Sequence, residues 1–157
     1  GNSKVMPFEE QYFGGGSNDI RAWVVRTLGP GSYVMPEEST FINLTSDMKL
    51  EANIEYRFKL FWILEGATFV DVGNIWTVKP DEDRPGSQFR FDTFLDDIAV
   101  GAGAGLRFDI KFVLLRADFG MKLRDPMATE GSKWIPLNGT FDRRDDLTMV
   151  IGIGYPF

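Results

Sequence analysis

The sequence predicts an all-β fold: a fragment of an antiparallel membrane β-barrel, with about five consecutive strands preceded by a long loop that enters the lumen. Three observations predict it. Apolar and polar residues alternate strictly, over stretches longer than a half-buried strand of a soluble protein requires. Aromatic residues stand at strand ends, as Tyr56, Phe58, Trp76, Tyr155 and Phe157. The connections run short, long, short, long, the rhythm of an outer-membrane barrel with short periplasmic turns and long extracellular loops. The competing fold is a soluble β-barrel with an apolar interior. Strand length and apolar faces uninterrupted by charge count against it.

Residues 1–46 form the first region, rich in Gly, Pro, Ser and aromatics and without a sustained period. They read as an ordered loop of extracellular origin folded toward the lumen, with short strands at most and a turn cluster at Thr27-Leu28-Gly29-Pro30-Gly31. Residues 47–157 carry the strands. Met48, Leu50, Ala52, Ile54, Tyr56, Phe58 and Leu60 face outward, against Lys49, Glu51, Asn53, Glu55, Arg57 and Lys59. After a break at Phe61–Ile63, a second strand from Leu64 to Trp76 turns Leu64, Gly66, Thr68, Val70 and Val72 outward. Glu65, Ala67, Phe69, Asp71 and Gly73 then face inward. Residues 77–96 are a long polar loop with turn signals at Pro80–Asp83 and Pro85-Gly86. The third strand, Ile98–Phe108, places Gly101, Gly103, Gly105 and Arg107 inward; a turn at Asp109–Lys111 leads to a fourth, whose inward set is Arg116, Asp118, Gly120, Lys122 and Arg124. Another long loop, 125–146, precedes the last strand, whose outward set is Leu147, Met149, Ile151, Ile153, Tyr155 and Phe157.

Five strands cannot close a barrel wide enough to hold a loop, and an open sheet in lipid leaves backbone groups unpaired. More strands are therefore expected upstream, and the isolated segment is expected to self-associate in plain buffer.

Composition narrows the chemistry. The chain has 157 residues, which suits one domain, and a formal net charge of −6, which opposes nucleic-acid binding. It has no cysteine, so disulfides and thiolate metal sites are excluded, and no histidine, so imidazole bases and His-ligated zinc are excluded too. No cofactor and no metal site are expected. No apolar run reaches the length of a membrane helix, which leaves a β-barrel open.

One constellation stands out. Gly14, Gly15 and Gly16 free the backbone for a tight turn just before Arg21 and Trp23. An arginine buried there needs carboxylates, and Glu55 and Asp71 lie on the inward sides of adjacent strands, with Phe69 offering a ring face. The alternative is that these are ordinary solvated charges of a lumen. The Gly101–Gly105 run lacks the spacing of a dinucleotide fingerprint and reads as a close approach, a bend or an interior kept clear. Asp81, Glu82 and Asp83 read as a solvated loop, without the spacing of a calcium loop; Asn43-Leu44-Thr45 and Asn138-Gly139-Thr140 match the short glycosylation pattern.

Met6-Pro7-Phe8-Glu9, Tyr12-Phe13-Gly14-Gly15-Gly16-Ser17, Ile20-Arg21-Ala22-Trp23 and Leu28-Gly29-Pro30 together resemble the sixth extracellular loop of the BamA/TamA superfamily of outer-membrane insertases. The hallmark there is a Val/Ile-Arg-Gly-aromatic tetrad, from which this chain departs at Ala22. Ile54-Glu55-Tyr56 and Phe69-Val70-Asp71-Val72-Gly73 resemble the family's acidic and aromatic-x-Asp-x-Gly strand motifs, and Gly152–Phe157 its terminal aromatic signal, carried by Tyr155 and Phe157. Pro156 is less usual there. The resemblance covers essentially the whole chain, as the last third or so of a barrel of about sixteen strands. It implies that Glu55, Phe69 and Asp71 receive Arg21. It also implies a non-enzymatic outer-membrane factor that assembles, inserts or translocates other barrel proteins through a laterally opening seam. Membrane lipid and periplasmic or lipoprotein partners would accompany that role. The alternatives are a two-partner secretion pore exporting a dedicated substrate and, from another class, a soluble β-rich binding module.

Overall fold

The computed structural model describes residues 11–36, 44–110, 112–129, 131–138 and 141–154. Met6–Glu9, Asn43, Gly139-Thr140 and Tyr155-Pro156-Phe157 lie outside the described residues.

Among the described residues, seven strands occur in chain order: β1 (Tyr12–Phe13), β2 (Thr45–Ser46), β3 (Met48–Phe61), β4 (Leu64–Trp76), β5 (Ala99–Ile110), β6 (Val113–Arg124) and β7 (Leu147–Gly154). The last five form one antiparallel meander in which every strand pairs with its sequence neighbours, leaving β3 and β7 as the edges. β1 and β2 make a small ribbon, Tyr12 opposite Ser46 and Phe13 opposite Thr45, that closes the two ends of the first loop against each other. The architecture is all-β and antiparallel, and the sheet is open.

Period-two alternation fixes what each face carries. Leu50, Ile54, Tyr56, Val70, Leu106, Phe119, Met149, Ile151 and Ile153 crowd one face and are exposed. Ala67, Phe69, Asp71, Arg107 and Asp118 occupy the other and are buried, with the first loop lying over Phe69 and Asp71. The apolar core sits between that loop and the sheet: Ile20, Ala22, Trp23 and Leu28 from the loop, Ala99 from β5, and Met127 packed at its side.

The bounds expected for β4 and β6 match the structure. β3 and β5 run further than expected, because Phe61 still pairs with Leu64 and Ile110 with Val113. The first turn therefore falls at 62–63 rather than Phe61–Ile63, and the second comes after Ile110 rather than at Asp109. β5 begins at Ala99, one residue later than expected. The long connections also hold more than loop. Phe94–Asp97 is a 3-10 turn and Ile135–Asn138 a single helical turn, α1. Trp76 at the end of β4 meets Phe89 edge-on at 5.6 Å, which seats the 77–98 connection on the sheet.

Register decides who meets whom. Glu55 stands directly opposite Phe69, and Asn53 opposite Asp71. One strand further, Phe69 faces Gly103 and Asp71 faces Gly101; on β6, Gly103 faces Gly120 and Arg107 faces Arg116. Glu55 and Asp71 are thus diagonal neighbours on one face, close enough for a single guanidinium to bridge.

Candidate loop-docking site

The glycine run builds the loop. Gly15 and Gly16 adopt φ of +88° and +111°, and a Cβ on Gly15 would collide with the Val24 carbonyl. That freedom lets Gly16 N–H donate to the Trp23 carbonyl at 2.9 Å and Arg26 N–H to Gly14 at 2.9 Å, folding 14–26 back on itself. Gly14 itself bridges to Leu28. The result is a compact excursion with Arg21 at its apex and no regular secondary structure.

Arg21 is buried, and it is held from every side. Its Nε and Nη2 donate to the two oxygens of Asp71 at 2.9 and 2.8 Å, and its backbone N–H adds a third bond to Asp71 at 3.0 Å. Nη1 donates to Glu55. The guanidinium carbon lies 3.5 Å from the centroid of the Phe69 ring. A two-pronged carboxylate contact stacked on an aromatic face uses the flat fork of arginine in a way that an ammonium cannot.

The cluster extends past the expected residues. Glu55 also accepts from Arg107 at 2.9 Å and Arg57 at 2.6 Å, and Arg107 donates to Asp118 at 2.5 Å. Asn53 donates to Asp71 at 3.0 Å. Charges therefore alternate along a line, Asp71, Arg21, Glu55, Arg107, Asp118, in which each buried ion has an opposite neighbour. Such alternation offsets a desolvation cost that would otherwise exceed the attraction. Arg107 and Asp118 were legible as inward residues but not as members of this line. Arg107 faces Arg116 directly, and only the three-dimensional register shows it reaching diagonally to Asp118 while Arg116 turns to the loop.

Trp23 lies outside the ion cluster. It is buried in the core beside Ile20 and Leu28, with Lys122 Nζ 5.4 Å from its ring. The inward glycines mark close approaches: a Cβ on Gly103 would stand 2.5 Å from the Phe69 ring, and one on Gly105 would overlap Asp118. Asp81 is tied to Arg84 at 2.7 Å.

Other contacts spread across the sheet. Lys49 on β3 pairs with Asp19 at 2.8 Å, and Asn53 donates to the Asp19 carbonyl at 2.9 Å. Arg116 on β6 donates to the Ser17 carbonyl at 2.6 Å, and Thr148 on β7 to the Ala22 carbonyl at 2.8 Å. Burial and the neighbouring Glu51 outweigh the Lys49 ammonium and push the Asp19 carboxyl up to about 7. Seven residues, 17–23, thus touch all five strands. The chemistry of this arrangement is to hold a loop in place by fixed charge pairs.

The family model described as the Omp85 superfamily domain matches residues 1–145. Among curated proteins, the chain is similar to the outer membrane protein assembly factor BamA of Neisseria meningitidis serogroup B (strain ATCC BAA-335 / MC58), with 29% identity over 92 residues. That match covers 55% of this chain and 11% of the relative, so the chain spans about a tenth of the curated protein it matches.

Proposed function

Because this chain belongs to the Omp85 superfamily and to the bacterial outer membrane, we propose that it is part of a β-barrel that assembles other barrel proteins into that membrane. Its role is non-enzymatic. The clients are other outer-membrane β-barrel proteins, the exposed apolar face contacts lipid, and periplasmic or lipoprotein partners act with it. The long connections face outward and the short turns face the periplasm. Strands beyond this segment complete the barrel, since an open edge in lipid is not tolerated.

The observation that carries the reading is the pairing of a docked loop with an edge strand. Residues 17–23 are fastened across one face by Arg21, and β7 is one of the two edge strands of the sheet within this segment. A free edge offers backbone donors and acceptors to an incoming strand, which is the chemistry of strand addition. The loop orders the sheet from behind while that edge exchanges partners.

The test is insertion of an unfolded barrel client into liposomes holding the complete protein. Arg21→Ala is expected to slow insertion about tenfold or more, the equivalent of at least about 1.4 kcal/mol of barrier. Arg21→Lys should recover only part of that rate. Parental insertion by Arg21→Ala, with unchanged protease sensitivity of residues 11–36, would overturn the proposal. Export of a soluble substrate without client insertion would instead identify a two-partner secretion pore.

A further inference from the structure

Between the arginine and the tryptophan lies Ala22, completely buried. Two glycines from neighbouring strands, opposite neither each other nor the same residue, meet under it. A Cβ on Gly101 of β5 would stand 2.7 Å from the Ala22 Cβ, and one on Gly120 of β6 would stand 2.9 Å from its Cα and N and from the Arg21 carbonyl. Real Cβ atoms do not approach so closely, and neither obstacle is the loose end of a flexible side chain. From a third strand, Thr148 of β7 donates its hydroxyl to the Ala22 carbonyl. The residue next to Arg21 is therefore boxed on three sides by three strands, none of which supplies a carboxylate to the arginine.

We propose that Gly101, Gly120 and Thr148 form a size-matched seat for Ala22 that positions Arg21 in its carboxylate socket and ties the loop to β7. The two glycines set the depth at which the loop backbone lies. The ion pairs with Asp71 need that depth, because the Arg21 backbone N–H and its side chain bond the same carboxylate and the guanidinium must still lie flat on Phe69. Lifting the backbone by one methyl group cannot satisfy all three contacts. Thr148 then fixes the carbonyl that follows. The seat belongs to Ala22 specifically: one methyl on the loop side is matched by one hydrogen on the strand side, so the methyl can be moved across the contact but not doubled. These are positioning residues, and their role rests on the proposed function only where client insertion is the readout.

The experiment is limited proteolysis of residues 11–36 in the complete membrane-embedded protein, with client insertion measured separately. Gly101→Ala is expected to speed loop cleavage about tenfold by populating the undocked state. Adding Ala22→Gly should return cleavage to the parental rate, because the methyl has only changed sides. Thr148→Val, which keeps shape and loses the donor, should speed cleavage severalfold, and Thr148→Ser should match the parent. Parental cleavage in Gly101→Ala overturns the seat, as does a double variant as sensitive as the single one. Should Gly101→Ala not fold, the Thr148 pair still decides: equal protection of the Val and Ser variants overturns the clasp. A protected loop in a parent protein that inserts no client would sink the assembly reading and leave the seat standing.

Discussion

The two faces of the five-stranded sheet are made by the same residues in alternation, yet they invert the usual order of a protein. On one face Ile54, Tyr56, Ile151 and Ile153 are 69–77% exposed; on the other Asp71, Arg107 and Asp118 are completely buried. In water this arrangement would be upside down. In a bilayer the exposed face meets hydrocarbon and the buried charges meet one another, so each strand serves two solvents at once. The lesson is that the faces are stabilised by different means: the apolar one by lipid, the charged one by the loop.

The largest test of that comparison removes the lipid. The isolated segment in detergent-free buffer should lose its dispersed monomer entirely; a clean monomer peak in size-exclusion chromatography with light scattering would mean that the outward face is misassigned. Next comes the charged face. Arg21→Ala leaves Asp71 buried without its counter-ion and should cost about 3–5 kcal/mol of loop docking, read by hydrogen exchange of residues 14–28. Since Glu55 keeps Arg107 and Arg57, Asp71 is the acid left alone. The pair Arg21→Ala with Asp71→Asn should therefore dock better than Arg21→Ala by itself.

Placing a charge on the other face is somewhat milder. Ile54→Lys, near the middle of β3, should destabilise the membrane-embedded barrel by about 2–4 kcal/mol in denaturant titration and leave loop exchange unchanged. Phe69→Leu keeps an apolar side chain and loses the ring under Arg21, which should cost about 1–2 kcal/mol of docking. The last test is pH. Asp19 holds its proton more tightly docked than free, so its contribution favours docking most below the ordinary carboxylate range. That contribution fades as pH rises through about 7. Loop cleavage should accelerate between pH 5 and pH 8, and Asp19→Asn should flatten that profile; an equally steep profile in Asp19→Asn would remove Asp19 from the explanation.

The strands were the most legible part of the sequence. β4 and β6 show their full extent because their two faces alternate in character and polar connections follow their C-terminal ends. β3 and β5 ran past their expected ends because Phe61 and Ile110 give no turn signal, and a ladder continues until one appears. The 3-10 turn at 94–97 and α1 were illegible because four residues cannot display a helical period. At the site, alternation alone puts Glu55, Phe69 and Asp71 on one face of neighbouring strands, while the link from Arg21 to them was carried by the resemblance of its loop. Arg107, Asp118 and Thr148 could not be matched to their partners in advance. Arg107 and Asp118 meet diagonally rather than directly across β5 and β6, and the partner of Thr148 depends on the depth at which a loop 126 residues away lies on the sheet.

That last distance has a temporal meaning. Ala22 is made before β3–β7, and its hydroxyl partner, Thr148, comes 126 positions later, on β7. A nascent or truncated chain ending before β7 owns the arginine, both its acids and the ring beneath it, and still lacks the clasp. Contacts so remote in sequence form late, after the intervening hairpins have closed the gap. The loop therefore lies fully fastened only once β7 has joined the sheet.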